Sequence, residues 1–271
     1  MRSRKNTWLI VLLSAMALML SGCRPSENVG SLEWIKARKE LIVQTCANFP
    51  PFEYKDAEGR IVGVDVEIAN RIASRLGVIL VVVDSPLGKV VPAVINHEAA
   101  LGISAISITE ERKRHSCFSD SYLETIQHLI LTKNSSVKYL EDLKDKTICA
   151  EYGSTGMALV ERVLRDGSLA ESNTCLRPYQ LLRQVISPLQ AGEVAAVVAD
   201  KAVAESIVSK VMELKSIPMV SRDGEPLTEQ YGIVVAKENR ELLNVVNEVI
   251  QEMKQDGSLA KLVEKHSRIM E

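Results

Sequence analysis

Twice along this chain a short apolar run alternates with an amphipathic stretch, and that rhythm restricts the fold more than any other feature. Residues 41–45 read as a buried strand. Val66, Ile68, Ala69, Ile72, Ala73 and Leu76 then recur at a helical period, and Gly77 stands at the stop. Residues 79–83 are β-branched and short, hence strand. A helix is expected over 90–97, with Pro92 tolerated in its first turn, and a strand over 101–106. Strand-helix-strand-helix-strand is the signature of a parallel sheet with right-handed crossovers.

The rhythm restarts after a longer strand-like run at 126–132 and the polar Lys133-Asn134-Ser135-Ser136. A strand at 147–150, a helix at 157–164 closed near Gly167, a helix at 186–191, a strand at 194–199 and a helix at 202–212 follow. Arg222-Asp223-Gly224-Glu225-Pro226 is turn chemistry. A strand at 232–236 and helices at 242–253 and 259–266 complete one module or the other. The expected class is α/β, in two modules joined near 133 with a second crossing near 226–231.

Ahead of the first module, Arg2, Arg4 and Lys5 precede an uncharged apolar run over 8–20 and then Leu20-Ser21-Gly22-Cys23. A basic start, a short apolar core and small residues describe an export signal; a bilayer span needs about 20 apolar residues. An uncleaved anchor helix and an ordinary signal with an incidental cysteine are the alternatives. The ending resembles the lipobox of bacterial lipoproteins, in which a peptidase cuts before the cysteine. That implies a signal over 1–22, lipid on Cys23, a tether within 23–39, and an extracytoplasmic, membrane-anchored body. Roughly 245 residues remain, room for one large domain or two lobes.

The formal net charge of −2 argues against a nucleic-acid partner, which needs a basic surface. Cys46, Cys117, Cys149 and Cys175 show no CxxC spacing, so disulfides and free thiols both stay open. His97, His115, His128 and His266 have no metal-ligand spacing, and neither a metal nor a cofactor is expected.

Open α/β sheets bind ligands beyond the carboxyl ends of their strands, and four segments stand there. Asn48-Phe49-Pro50-Pro51-Phe52-Glu53-Tyr54 is either a surface loop or a stiff mount for an aromatic. Ser107 and Glu110 fit a capping box; alternatively Arg112, one turn in, holds a carboxylate through its planar fork. Tyr152-Gly153-Ser154-Thr155-Gly156 is either an ordinary N-cap or an anion site at a helix start. Asp200, closing the strand at 194–199, is either a cap or an acceptor for an ammonium. A guanidinium, a carboxylate, hydroxyls and an aromatic together match a zwitterion.

These residues carry a resemblance to the polar-amino-acid-binding proteins of bacterial ABC importers. Pro50-Pro51-Phe52-Glu53-Tyr54, Gly63-Val64-Asp65-Val66-Glu67-Ile68-Ala69, Ile106-Ser107-Ile108-Thr109-Glu110-Glu111-Arg112, Phe118-Ser119-Asp120-Ser121-Tyr122, Gly153-Ser154-Thr155-Gly156, Val197-Val198-Ala199-Asp200, Tyr231-Gly232-Ile233 and Asp256-Gly257-Ser258-Leu259-Ala260 follow the family's order from about 40 to 265. The resemblance implies a two-lobed periplasmic-binding-protein-like clamp, each lobe a mostly parallel sheet flanked by helices. Lobe one is then 40–131 plus 229–271, and lobe two, with the hinge segments, 132–228.

It also implies that Arg112 holds a ligand α-carboxylate with Ser107 and Thr155, Ser154 standing beside them. Asp200 holds the α-ammonium, Phe49 forms an aromatic wall, and Ala105 offers a backbone carbonyl. The departures fall in the side-chain pocket: Cys46 replaces a common Asp, Leu87 a common aromatic, and Glu151 adds a carboxyl; Ala100 and Ala195 replace family aspartates. The implied partners are a free L-amino acid, an ABC importer permease and the membrane. A sensing lipoprotein and a dehydratase-like enzyme, with Glu151 as its one candidate acid, are the alternative functions.

Overall fold

A computed structural model describes residues 28–220 and 224–269. The expected signal and Cys23 lie outside the described residues, as do Arg222 and Asp223 of the expected turn. Among the described residues no helix is long and apolar enough to cross a membrane. The stretch expected as tether joins the first lobe from Asn28 on: the Asn28 and Asn239 side-chain amides exchange hydrogen bonds of 2.8 and 3.0 Å, and Ile35 is buried in the first core.

The first lobe runs through α1 (Leu32–Arg38), β1 (Glu40–Thr45), β2 (Asn48–Phe49), β3 (Glu53–Lys55), β4 (Ile61–Val62), α2 (Val64–Leu76), β5 (Ile79–Asp84), α3 (Leu87–Ile95), β6 (Leu101–Gly102), α4 (Glu110–Lys113) and β7 (Cys117–Phe118). β8 (Leu123–Thr132) crosses to the second lobe, made of β9 (Thr147–Glu151), α5 (Thr155–Asp166), β10 (Cys175–Tyr179), α6 (Arg183–Gln190), β11 (Ala196–Asp200), α7 (Lys201–Val208) and β12 (Leu214–Pro218). β13 (Thr228–Tyr231) returns to β14 (Val234–Val235), α8 (Arg240–Gln255) and α9 (Ser258–Ile269) in the first lobe.

Two large sheets result, ordered β5-β1-β6-β14-β7 and β10-β9-β11-β8-β12, with β13 on β8, beside a small antiparallel sheet β2-β3-β4. They are mixed rather than mostly parallel. β1 runs parallel to β5 and β6, and β9 to β10 and β11. β8 and β14, which enter from the other lobe, run antiparallel to their neighbours. β8 straddles the expected boundary at 131: residues 123–126 pair with β13, and residues 127–132 pair with β11 and β12.

α2 forms as its periodicity demands. Ile68, Ala69, Ile72 and Ala73 are buried against the first core, and Gly77 ends the helix at φ 67° with its N–H on the Ala73 and Ser74 carbonyls. Each such Ile contributes about 1.5–3 kcal/mol by burial. Other expectations need correction. α3 starts at Leu87, not near 90, so Pro92 sits inside it. The strand expected over 101–106 stops at Gly102, because Ala105 adopts φ 43°. α7 begins directly after Asp200 and stops at Val208. Cys46, Cys117, Cys149 and Cys175 are all free thiols.

Candidate functional site

The carboxyl ends of β1, β6, β9 and β11 converge on one cleft between the lobes, an open space of about 660 Å³ that includes its mouth. Cys46 and Phe49 line it after β1, Leu87 at the start of α3, and Ala105 and Ser107 after β6, with Arg112 behind them. The second lobe adds Glu151 from the end of β9, Ser154 and Thr155 from the start of α5, and Asp200 from the end of β11. All ten residues singled out in the sequence as ligand or pocket positions therefore face one space. Phe49 packs on the cores of both lobes.

The lobes meet at a lip made by glycines. A Cβ on Gly153, which holds φ 85°, would stand 2.7 Å from the Gly88 Cα, and one on Gly88 would stand 2.9 Å from the Tyr152 ring. Only residues without a Cβ allow this approach.

One end of the cleft gathers a guanidinium and two hydroxyls. The expected Ser107–Glu110 capping box does not form. Thr109 is the N-cap of α4, its hydroxyl accepting from the Arg112 N–H at 3.2 Å. Ser107 is instead bridged to Tyr231 in extended pairing, which frees its hydroxyl for the cleft. The Arg112 guanidinium donates to the Ser107 carbonyl at 2.7 Å and, across the cleft, to the Gly153 carbonyl at 3.0 Å. Burial pulls its pKa down, and nearby Glu229 and Asp200 push it back. The Ser107 and Thr155 hydroxyls lie 3.4 Å apart, and both donate to the Glu229 carboxylate, Thr155 at 2.7 Å. Ser154 lines the cleft, but its hydroxyl caps α5, accepting from the Met157 N–H at 3.0 Å.

The other end is acidic. Asp200 sits at the N-cap position of α7 without making a capping bond. Its carboxylate accepts from the Gln127 amide and the Tyr231 hydroxyl. Burial and the Glu229 charge push its pKa up to about 7, against the pull of those bonds and of Arg112. Burial likewise raises Glu151 to about 7, with an Asn48 hydrogen bond opposing and Asp200 adding to the rise. The Cys46 thiol, 3.3 Å from the Asn48 Oδ1 to which it donates, is pushed above its usual range by burial and by Glu151.

A buried carboxyl pair braces the floor. The Ala105 N–H donates to Asp65 at 2.7 Å, the Tyr122 hydroxyl to the same oxygen at 3.0 Å, and the Ser104 hydroxyl to Glu53 at 2.6 Å. Burial drives Glu53 well above the carboxylate range and Asp65 up to about 6, the Asp65 charge adding to the rise at Glu53. The Asp65 bond holds Ala105 at its positive φ, which turns the chain into the cleft.

The residues that sequence reasoning missed are Glu229, Gln127, Tyr179 and the Glu53–Asp65 pair. Tyr179, buried at the end of β10, lines the cleft beside Glu151. Glu53 and Asp65 lie inside motifs that carry the resemblance, so their burial had a signal. Glu229 had only its position two residues before Tyr231, sharing one face of a strand with it.

The structure and sequence find the same company among known proteins. A probable histidine-binding protein of Neisseria gonorrhoeae is 27% identical over 264 residues, covering 96% of this chain and 94% of that protein. The arginine-binding extracellular protein ArtP of Bacillus subtilis is 29% identical over 260 residues, covering 95% and 96%. The crystal structure of the amino acid ABC transporter substrate-binding protein AbpA from Streptococcus pneumoniae, bound to L-arginine, superposes with a TM-score of 0.80 at 29% identity, covering 88% of this chain and 98% of that one. With the family model matching residues 41–268, the chain belongs to the bacterial extracellular solute-binding proteins, family 3.

Proposed function

We propose that this protein captures a free L-amino acid with a cationic side chain and delivers it to the permease of an ABC importer. The observation that carries the reading is a surplus of acid. Among the described residues, Arg112 is the one basic residue lining the cleft, against Glu53, Glu151 and Asp200. Glu53 is paired with Asp65 behind the floor. With the α-carboxylate on Arg112, Ser107 and Thr155, and the α-ammonium on Asp200, Glu151 is left without a cation. A guanidinium, imidazolium or ammonium at the ligand's far end supplies it, with Phe49 and Leu87 flanking the apolar stem. Relatives named for arginine and histidine fit this charge pattern. Hydrogen bonds to charged groups contribute about 1.5–3 kcal/mol each, so three of them plus the apolar contact of the stem reach the affinity of a micromolar site, about −8 kcal/mol. Lipid on Cys23 keeps the protein at the outer face of a membrane, beside the permease.

A thermal-shift screen of the purified protein against the twenty amino acids tests the ligand class. Arginine, lysine or histidine at 100 times its dissociation constant stabilises the fold by about 2.7 kcal/mol. A response confined to neutral or acidic amino acids refutes the role of Glu151, and a flat panel refutes the whole reading. Release of the protein from membranes by Cys23→Ala tests the anchor.

A further inference from the structure

We propose that Glu229 is a built-in competitor for the ligand's α-carboxylate, and that it sets how far the cleft prefers an amino acid over the corresponding amine. The inference rests on the reading that Ser107, Thr155 and Arg112 hold that carboxylate.

Glu229 lies on β13, the strand that returns from the second lobe to the first. Side chains alternate along a strand, so Glu229 and Tyr231 leave the same face: Tyr231 reaches Asp200, and Glu229 reaches the anion end. One oxygen, Oε2, accepts both the Ser107 hydroxyl and the Thr155 hydroxyl. The two donors come from different lobes. Ser107 is fixed to β13 by backbone pairing, with the Ile108 N–H on the Gln230 carbonyl at 2.7 Å and the Gly232 N–H on the Ile106 carbonyl at 2.9 Å. Glu229 therefore travels with Ser107, and it gains Thr155 when the second lobe approaches. A carboxylate bridging the lobes through these hydroxyls does what the ligand's own carboxylate is assigned to do.

Glu229 is not simply the counter-ion of Arg112. Among the described residues the two make no ion pair, and both terminal nitrogens of Arg112 donate to backbone carbonyls. Two carboxylates also cannot occupy one small site as anions without a large penalty. An incoming α-carboxylate must move Glu229 off the hydroxyls. An amine without that carboxylate leaves Glu229 in place, hydrogen-bonded by the two hydroxyls with Arg112 nearby.

Calorimetric titration of the full chain with L-arginine and with agmatine, its decarboxylated amine, tests this in the wild type, Glu229→Gln and Glu229→Ala. Glu229→Gln keeps the shape and removes the charge, and Glu229→Ala serves where the amide misfolds. The expected result is arginine affinity raised about tenfold, the worth of one hydrogen bond to a charged group, with agmatine affinity unchanged or lowered. Weakened arginine binding, or equal gains for both ligands, overturns the proposal. A second arm needs no ligand: fluorescence energy transfer between a dye on each lobe. Loss of the Glu229 bridge lengthens the mean inter-lobe distance, and an unchanged distance overturns the bridge. If arginine fails to bind the wild type, the cationic reading of the pocket falls, and this distance alone decides the role of Glu229.

Discussion

Acidification from pH 8 to pH 6 is expected to weaken arginine binding about a hundredfold. Asp200 and Glu151 both have pKa values raised to about 7, chiefly by burial. A bound ammonium and a bound guanidinium favour the ionised carboxylates, so the complex holds both as anions. At pH 8 both groups are already largely ionised in the free protein. At pH 6, one unit below their pKa values, ionising each costs about 1.4 kcal/mol, a factor of about ten per group. Two groups compound to about a hundredfold, with release of up to two protons per ligand bound. Calorimetry at pH 6, 7 and 8, in two buffers of different ionisation enthalpy, counts those protons directly. Glu151→Gln is expected to cut the dependence to about tenfold and the release to one proton. A dissociation constant that stays level over this range, with no proton release, refutes the reasoning, because both carboxyls are then ionised before any cation arrives.

Arg112→Ala is expected to abolish amino-acid binding while circular dichroism shows an intact fold; unchanged affinity removes the carboxylate assignment. The Glu53–Asp65 pair is expected to make the protein more stable in acid than at neutral pH. Both folded pKa values lie above the unfolded ones, so their contribution is full below about pH 4 and is lost as pH rises through about 6 and beyond. Urea melts of wild type and Asp65→Asn at pH 5 and pH 8 check this, the variant showing the flatter dependence. Gly88→Val is expected to reduce ligand affinity at least about tenfold by wedging the lip apart, with a melting temperature close to wild type; tight binding by this variant shows that the lip contact is dispensable.

Much of the fold was legible because its signals are local. The stripe from Val66 to Leu76 and the stop at Gly77 specify α2 without reference to the rest of the chain. The signals that failed were overridden by distant partners. Ser107 and Glu110 have the spacing of a capping box, yet pairing with Tyr231, over a hundred residues away, holds Ser107 extended and passes the cap to Thr109. Residues 101–106 read as one strand, yet the bond from the Ala105 N–H to Asp65 bends the chain out of the sheet. The candidate cleft was legible in part for the same reason. Arg112, Thr155 and Asp200 stand at strand ends or helix starts, where a topological rule points to a ligand. Glu229 stands mid-strand in a crossing segment, and only the folded register brings it to Ser107 and Thr155.

The reciprocal amide bonds between Asn28 and Asn239 fix the point at which the proposed tether would meet the first lobe. With lipid on Cys23, as proposed, five peptide steps separate the bilayer from that knot, a reach of about 18 Å at full stretch. So anchored, the body would stay near the surface and hang from the first lobe. The second lobe is then the free jaw. With such an anchor, a membrane partner would meet a clamp whose fixed jaw is always on the same side, so a few residues of leash would restrict the orientations of encounter before any contact is made.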